Sequence, residues 1–345
     1  MNLAPGKFPA PLDANFQPAI GFNRNYVAAA KKSGRAVPLV IGLERENKLL
    51  SRYETIVLAE ADATTLFYVE RLVKFLLWAW GGGKLYIGGP KKIGEAIQKI
   101  YSPRGSRKFD FDMMTAAYAK QFQVVVTTAE KVPAAKELKI SAGGHLNGCR
   151  IGFDLGASDY KFSAVIDGAA VFTDEVPWDP KTQSNPEYHY HHIVSGLHRA
   201  AAYLPRVDAI GGSSAGIIVH NEIRVASLLR AIPKKDFSRA AKVFKRIQRE
   251  WNVPVQVMND GDVTALAGAL ALGRQGLLGL AMGSSQAAGF TDRHGRIPGW
   301  LNELAFVPVD MNPDVAEDEW SKDKGTGVMY FSQQAVNQLL PAAKK

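Results

Sequence analysis

The sequence predicts a mixed α/β protein, and two observations carry that prediction. Short runs rich in β-branched residues, such as VPLVIGL (37–43) and QVVVTTAE (123–130), alternate with segments of helical pattern. From residue 149, CRIGFDLGASDYKFSAVIDGAAVFTDEVPW (149–178) reads as three strands in hairpin spacing, and helical and strand signals then alternate again.

Residues 1–36 are rich in Pro, Asn and Gly and read as an irregular arm. Strands follow at 37–43 and 55–61. TTLFYVERLVKFLLWAW (64–80) is the most apolar stretch, yet it holds Glu70, Arg71 and Lys74. It is short and charged for a membrane span and reads as a buried helix. The segment 81–101 reads as turn, strand, Gly-Gly-Pro stop and helix; 111–122 as a helix; 131–148 as a connector. After the hairpins, 187–204 is a helix and VDAIGGSSAG (207–216) a buried strand running into a glycine turn. The stretch 236–252 is one amphipathic helix, with Ala240, Val243, Phe244 and Ile247 on a stripe. A strand at 253–260, a helix at 263–272, a hairpin at 276–299 and a closing helix at 332–340 complete the order.

Composition narrows the function classes. Hydrophobic content of 46% with 22% charged residues is that of a soluble globular protein. The single cysteine, Cys149, excludes an intrachain disulfide framework and a cysteine-cluster zinc site. The start MNLAPGKFPAPLDANFQ has no apolar signal-peptide core, which suggests a cytoplasmic protein with no membrane partner. Residues 1–150 hold 22 Lys and Arg against 12 Asp and Glu, whereas 151–345 hold 20 against 21. The basic excess of the first part is read as a solvated face rather than a nucleic-acid surface.

Four segments carry chemistry. In DLGASDYK (154–161), Asp154 can hold Mg²⁺ directly or through water, Gly156 lets a phosphate approach the backbone, and Ser158 and Lys161 can donate to it. AMGSSQAAG (281–289) offers Gly283, Ser284 and Ser285 as a second phosphate cradle. In MNDGDV (258–263), Asp260 lies at the carboxyl end of a strand, where active sites of open α/β sheets gather. There it can serve as a general base, with Asn259 beside it for a hydroxyl and Asp262 as the helix cap. In GWLNELAF (299–306), Glu303 is a lone acid among apolar residues, either a hydroxyl ligand or a structural acid.

The order of these segments resembles the sugar-kinase, heat-shock-chaperone and actin superfamily, and within it the ROK sugar kinases and sugar-responsive repressors. The resemblance covers roughly residues 150–345. The family's first phosphate turn is matched by Asp154, Gly156 and Ser158, and its catalytic Asn-Asp pair by Asn259 and Asp260. Its second phosphate loop is matched loosely by 283–289, and its glutamate motif by Glu303. Its substrate turn looks like Gly212, Ser214 and Gly216. The resemblance implies an actin-like, ribonuclease-H-like two-lobed fold over 146–345, with 1–145 as an added α/β portion. It further implies ATP and Mg²⁺ as cofactors, a sugar or cyclitol as substrate, and a homodimer. Phe306 stands where the family has a zinc-binding histidine, so no zinc is expected, and Ala287 and Ala288 replace loop glycines. The alternative is a non-catalytic, sugar-sensing regulator of ROK type that binds DNA through its basic N-terminal half.

Three further segments are read as structural. GGGKLYIGGPKK (81–92) lacks a nucleotide motif and is a turn. YHYHH (188–192) is a helix start with exposed histidines, and RGSRKF (104–109) a solvated loop.

Overall fold

The computed structural model describes residues 10–138, 145–283 and 285–343. The chain forms two compact units. The first comprises Met1–Ile140, Leu280–Phe290 and Arg296–Lys345, and the second Ser141–Gly279 with Thr291–Gly295. The segment after Leu280 therefore belongs, apart from a few residues, with the N-terminal part of the chain.

The first unit starts with α1 (Ala19–Lys32). The predicted irregular arm is thus half helix, because Phe22, Tyr26 and Ala30 fall on one stripe that packs into the core. The strands β1 (Ala36–Glu44) and β2 (Leu50–Leu58) form an antiparallel hairpin, followed by α2 (Ala63–Trp80) and β3 (Lys84–Gly88). Then come α3 (Lys91–Ile100), α4 (Lys108–Tyr118) and β4 (Gln123–Thr127). The sheet order is β2-β1-β3-β4, with β3 antiparallel to β1 and parallel to β4.

Helix α2 is the axis of this unit. Asp62 caps its start by accepting the Thr65 N–H at 2.8 Å. Gly81 ends it with φ +76°, and a Cβ there would lie 2.1 Å from the Tyr118 hydroxyl, so no other residue fits. The helix is buried nearly all round, as predicted, and among the described residues no helix is long and apolar enough to cross a membrane. Its three charges are buried too and form one network. Lys74, fully buried, meets Asp110 at 3.1 Å and Asp323 at 3.0 Å. Arg71 pairs with Glu70 (2.7 Å) and Asp323 (3.0 Å), and Arg107 with the same two acids at 2.5 and 2.9 Å. The Trp78 indole N–H donates to Asp110 at 2.5 Å. Three cations face three carboxylates, so the desolvated charges balance. Arg107 is thereby taken out of the loop expected to be solvated.

Backbone bonds also tie the late segment to the early one. The Ala19 N–H donates to the Val309 carbonyl and the Met311 N–H to that of Gln17. Leu301, Asn302 and Glu303 donate to the carbonyls of Trp80, Ala79 and Trp78.

The second unit holds β5 (Cys149–Leu155), β6 (Asp159–Ile166) and β7 (Ala169–Pro177), the predicted three-stranded meander. Helix α5 (Pro186–Ala201) leads to β8 (Ala209–Ser214) and a small hairpin, β9 (Ile217–Val219) with β10 (Glu222–Val225). Two helices follow, α6 (Lys234–Ala241) and α7 (Val243–Trp251), then β11 (Val255–Asn259) and α8 (Asp260–Leu272). The single helix predicted over 236–252 is broken at Lys242 (φ −95°, ψ 14°); its apolar stripe survives because Ala240, Val243, Phe244 and Ile247 all reach the core. The sheet order is β11-β8-β5-β6-β7, with β8 parallel to β5 and β11 parallel to β8. Counted along the unit this is 3-2-1-4-5 read from β7, the ribonuclease-H-like arrangement that the family resemblance implies. Ile151, Phe153, Leu155, Ile210, Val255 and Val257 pack on one face against α5 and α7.

The hairpin expected over 276–299 is β12 (Leu278–Met282) and β13 (Gln286–Phe290), and the closing helix is α9 (Gln333–Ala343).

The buried network gives a stability prediction. Asp110→Asn leaves Lys74 with one carboxylate fewer in a dry site, at an expected cost of about 3–5 kcal/mol. Urea denaturation followed by tryptophan fluorescence measures it; a change below about 1 kcal/mol, the scale of surface pairs, would show that water reaches the network.

Candidate active site at the strand ends of the second unit

Strands β5, β8 and β11 run parallel, so their carboxyl ends finish together: Leu155 pairs with Ser214, and Ser214 with Asn259. The alternation of β5 decides which groups face away from the helices. Ile151, Phe153 and Leu155 are buried in the core, so Asp154 stands on the other face with Gly152. Its register neighbour on β8 is Ser213, whose hydroxyl donates to Asp154 Oδ1 at 2.5 Å.

Beyond β8 the chain turns through Ala215 and Gly216. Gly216 has φ +108°, and a Cβ there would lie 2.2 Å from the Val225 carbonyl oxygen. Only glycine fits, so the turn is fixed in shape. The Asn259 side chain joins this turn to the next helix. Its Nδ2 donates to the Gly216 carbonyl at 2.9 Å, and its Oδ1 accepts the Gly261 N–H at 2.8 Å. Asn259 is therefore the cap of α8, and the helix starts at Asp260 rather than after Asp262. The expected cap falls inside the first turn because an asparagine three residues earlier already has the extended backbone a cap needs. Ser214 is fully buried at the end of β8.

Asp260 is mostly buried at the first position of α8. Burial pushes its pKa up, the Gly261 N–H bond opposes this, and the negative charge of Asp154 raises it further. Two carboxylates thus share one polar neighbourhood at the strand ends.

The 154–161 turn has its own geometry. The Gly156 N–H donates to the Asp159 carbonyl at 3.0 Å, and the Trp178 indole N–H donates to the Gly156 carbonyl at 2.9 Å. Ser158 donates to Asp159 at 2.9 Å. Lys161 is committed to Asp159 at 2.5 Å and lies 3.5 Å from Glu175. Those bonds from Lys161 and Ser158 hold the Asp159 carboxyl below its usual range. The structure thus turns both Ser158 and Lys161 toward Asp159.

The remaining predicted residues belong to the first unit. The Gly283 N–H donates to the Ser285 carbonyl at 3.0 Å, and the Gly283 carbonyl accepts the Gln333 N–H at 2.9 Å. Ser284 lies outside the described residues. Glu303 opens a short turn over Leu304–Phe306 beside the end of α2. Phe306 packs at 4.4 Å from the Trp78 ring and 5.4 Å from Phe109, as a core aromatic.

Of the three histidines at 188–192, expected to be exposed, His189 is buried. Its Nε2 lies 2.9 Å from the Leu228 carbonyl, and burial lowers its pKa. No group of three or more metal-binding side chains occurs among the described residues. Ser213 carries no sequence motif of its own, and strand alternation from Gly211 places it on one face with Asp154.

The sheet order gives the second unit the ribonuclease-H-like arrangement found in the actin-like ATPase fold. No protein family profile matches the chain. No curated protein matches it either. Among solved structures it is similar to a ROK family glucokinase from Streptomyces griseus in complex with glucose and AMPPNP (19% identity, TM-score 0.44, 55% of this chain and 59% of that one). It is also similar to the ROK hexokinase from Thermus thermophilus (19%, 0.45, 57% and 64%). A ROK family transcriptional regulator, a homolog of the E. coli MLC protein, is a third (17%, 0.45, 57% and 50%). The chain spans less than two thirds of the length of each of these proteins.

The raised Asp260 pKa has a defined sign. In the folded protein the proton is held more tightly than in the unfolded chain. The stability this contributes is fully present below the unfolded pKa and is lost as pH rises through the folded one. Asp260→Asn removes the ionisation, so its melting temperature minus that of the parent should increase from pH 3 to pH 8. A difference that stays constant across that range contradicts the assignment.

Proposed function

We propose that the protein is an ATP-dependent kinase for a hydroxyl of a sugar or cyclitol, with Asp260 as general base. The observation that carries this reading is the placing of Asp154 and Asp260 at neighbouring strand ends, close enough for the charge of one to raise the pKa of the other. A base with a raised pKa stands nearer to the operating pH, which favours proton transfer.

Asp260 takes the proton of the attacking hydroxyl as its oxygen bonds to the γ-phosphorus and the bond to the bridging oxygen of ADP breaks. The proton then passes to solvent. Asn259 holds the Gly216 turn and the start of α8 in register, and its Oδ1 retains a second lone pair for a substrate hydroxyl. The fixed turn through Ser214 and Gly216 shapes the wall on that side. Asp154 is the group that would hold Mg²⁺. The donor set fits, since Mg²⁺ is commonly bound by one or two carboxylates together with substrate phosphates. When bound, the ion neutralises charge on the transferring phosphoryl group. Gly156 and Ser158 are proposed to face the phosphates, and Lys161 to lend charge to that turn.

A second reading, a sugar-sensing regulator without catalysis, is favoured by two specific features. Ala287 and Ala288 replace glycines in the second phosphate loop, and Lys161 is already neutralised by Asp159 and Glu175.

Coupled ADP release across hexoses, amino sugars and cyclitols with Mg·ATP separates the two. Substrate-dependent turnover is expected, and Asp260→Asn should reduce kcat by about 10²–10⁴-fold. A variant within a few-fold of the parent would remove Asp260 from the mechanism. Silence across the panel, with a sugar still raising the melting temperature, favours the regulator.

A further inference from the structure

We infer that Ser213 is a positioning residue that sets the Asp154 carboxylate for the magnesium ion of a bound nucleotide. The inference rests on the nucleotide-site reading above.

Asp154 has few other supports on its face of the sheet. The preceding residue on that face is Gly152, whose register partner on β8 is Gly211. Neither brings a side chain, and nothing lies within 4 Å of where a Gly211 Cβ would be. On the other side, across β6, the register partner is Lys161, whose ammonium is drawn to Asp159 and Glu175. Among the described residues, the Asp154 side chain is hydrogen-bonded by Ser213 alone.

Ser213 is built to hold its aim. It is buried, at 6% exposure, and sits inside β8, whose neighbours β5 and β11 pair with it on both sides. A buried hydroxyl needs an acceptor, and here the acceptor is Asp154 Oδ1. That bond fixes the carboxylate rotamer and leaves Oδ2 for a cation. A metal-binding carboxylate held by such an outer partner keeps its geometry, and loss of the partner typically costs 10- to 100-fold in metal affinity. A serine needed only to fill the sheet would not change metal affinity.

The test uses the full chain and reads binding rather than turnover. Melting temperature is followed with saturating ATP over a Mg²⁺ titration for the parent, Ser213→Ala and Ser213→Thr. The expected result is a rise of about tenfold in the half-maximal Mg²⁺ concentration for Ser213→Ala. The ligand-free melting temperature should stay near that of the parent, and Ser213→Thr should restore the midpoint. A Ser213→Ala midpoint within twofold of the parent overturns the role of Ser213 while leaving the nucleotide site standing. A shifted midpoint with a lowered ligand-free melting temperature and no rescue by threonine makes Ser213 structural and overturns the inference as well. A parent with no Mg²⁺-dependent stabilisation by ATP overturns the nucleotide reading beneath it.

Discussion

The first unit depends on a lysine that cannot reach water. Lys74 lies on the most apolar helix of the chain, fully buried, and its charge must be matched inside the protein. The match comes from two distant places, Asp110 on α4 and Asp323 near the end of the chain. Arg71 and Arg107 share Asp323 and Glu70, so the six groups act as one. Around them close the rings and aliphatic chains of α1 to α4 and of β1 and β3, with Val307 and Met311 from the late segment. Apolar burial supplies most of the stabilisation, at about 1.5–3 kcal/mol for each large side chain. The network joins α2 to α4 and to the segment that carries Asp323.

The second unit solves a different problem. Its sheet carries polar groups on one face while burying the other. On β5 and β8 it does so by alternation: Ile151, Phe153, Leu155 and Ile210 go to the helices, and Gly152, Asp154, Gly211 and Ser213 go to the other face. Parallel strands finish at one end, and the rigid Gly216 turn and the Asn259 cap hold that end still. The two acids then differ in setting. Asp154 has a hydroxyl donor, whereas Asp260 has burial and a like charge nearby. The setting of Asp260 favours its protonated form.

Much of this was legible in the sequence. The hairpin spacing of 149–178 announces the meander, and the strand-to-helix step near 258–263 announces the end of β11, where Asp260 stands. The α2 segment read as buried despite its charges, because the apolar residues between them left no polar face. Other features were hidden for physical reasons. A helix over Ala19–Lys32 is masked by a flanking stretch of Pro, Asn and Gly, and by a hydrophobic stripe of only three residues. The cap of α8 was misplaced by three residues, because Asn259 and Asp262 are equally good capping types and only backbone geometry separates them. The tie between Lys74 and Asp323 spans 249 positions, and no local pattern encodes such a pairing. Ser213 escaped notice because serine beside glycine is ordinary turn chemistry until the register is known.

The make-up of the first unit also bears on how the chain is born. Its two larger parts flank the second unit in sequence. On a ribosome, Lys74, Arg71 and Arg107 emerge long before Asp323. Until then, three cations of an apolar helix and its neighbours have only Glu70 and Asp110 to meet. The second unit is nearly continuous and closes its sheet as soon as α8 is made. The charge balance of α2 is therefore completed only once Asp323 has been made.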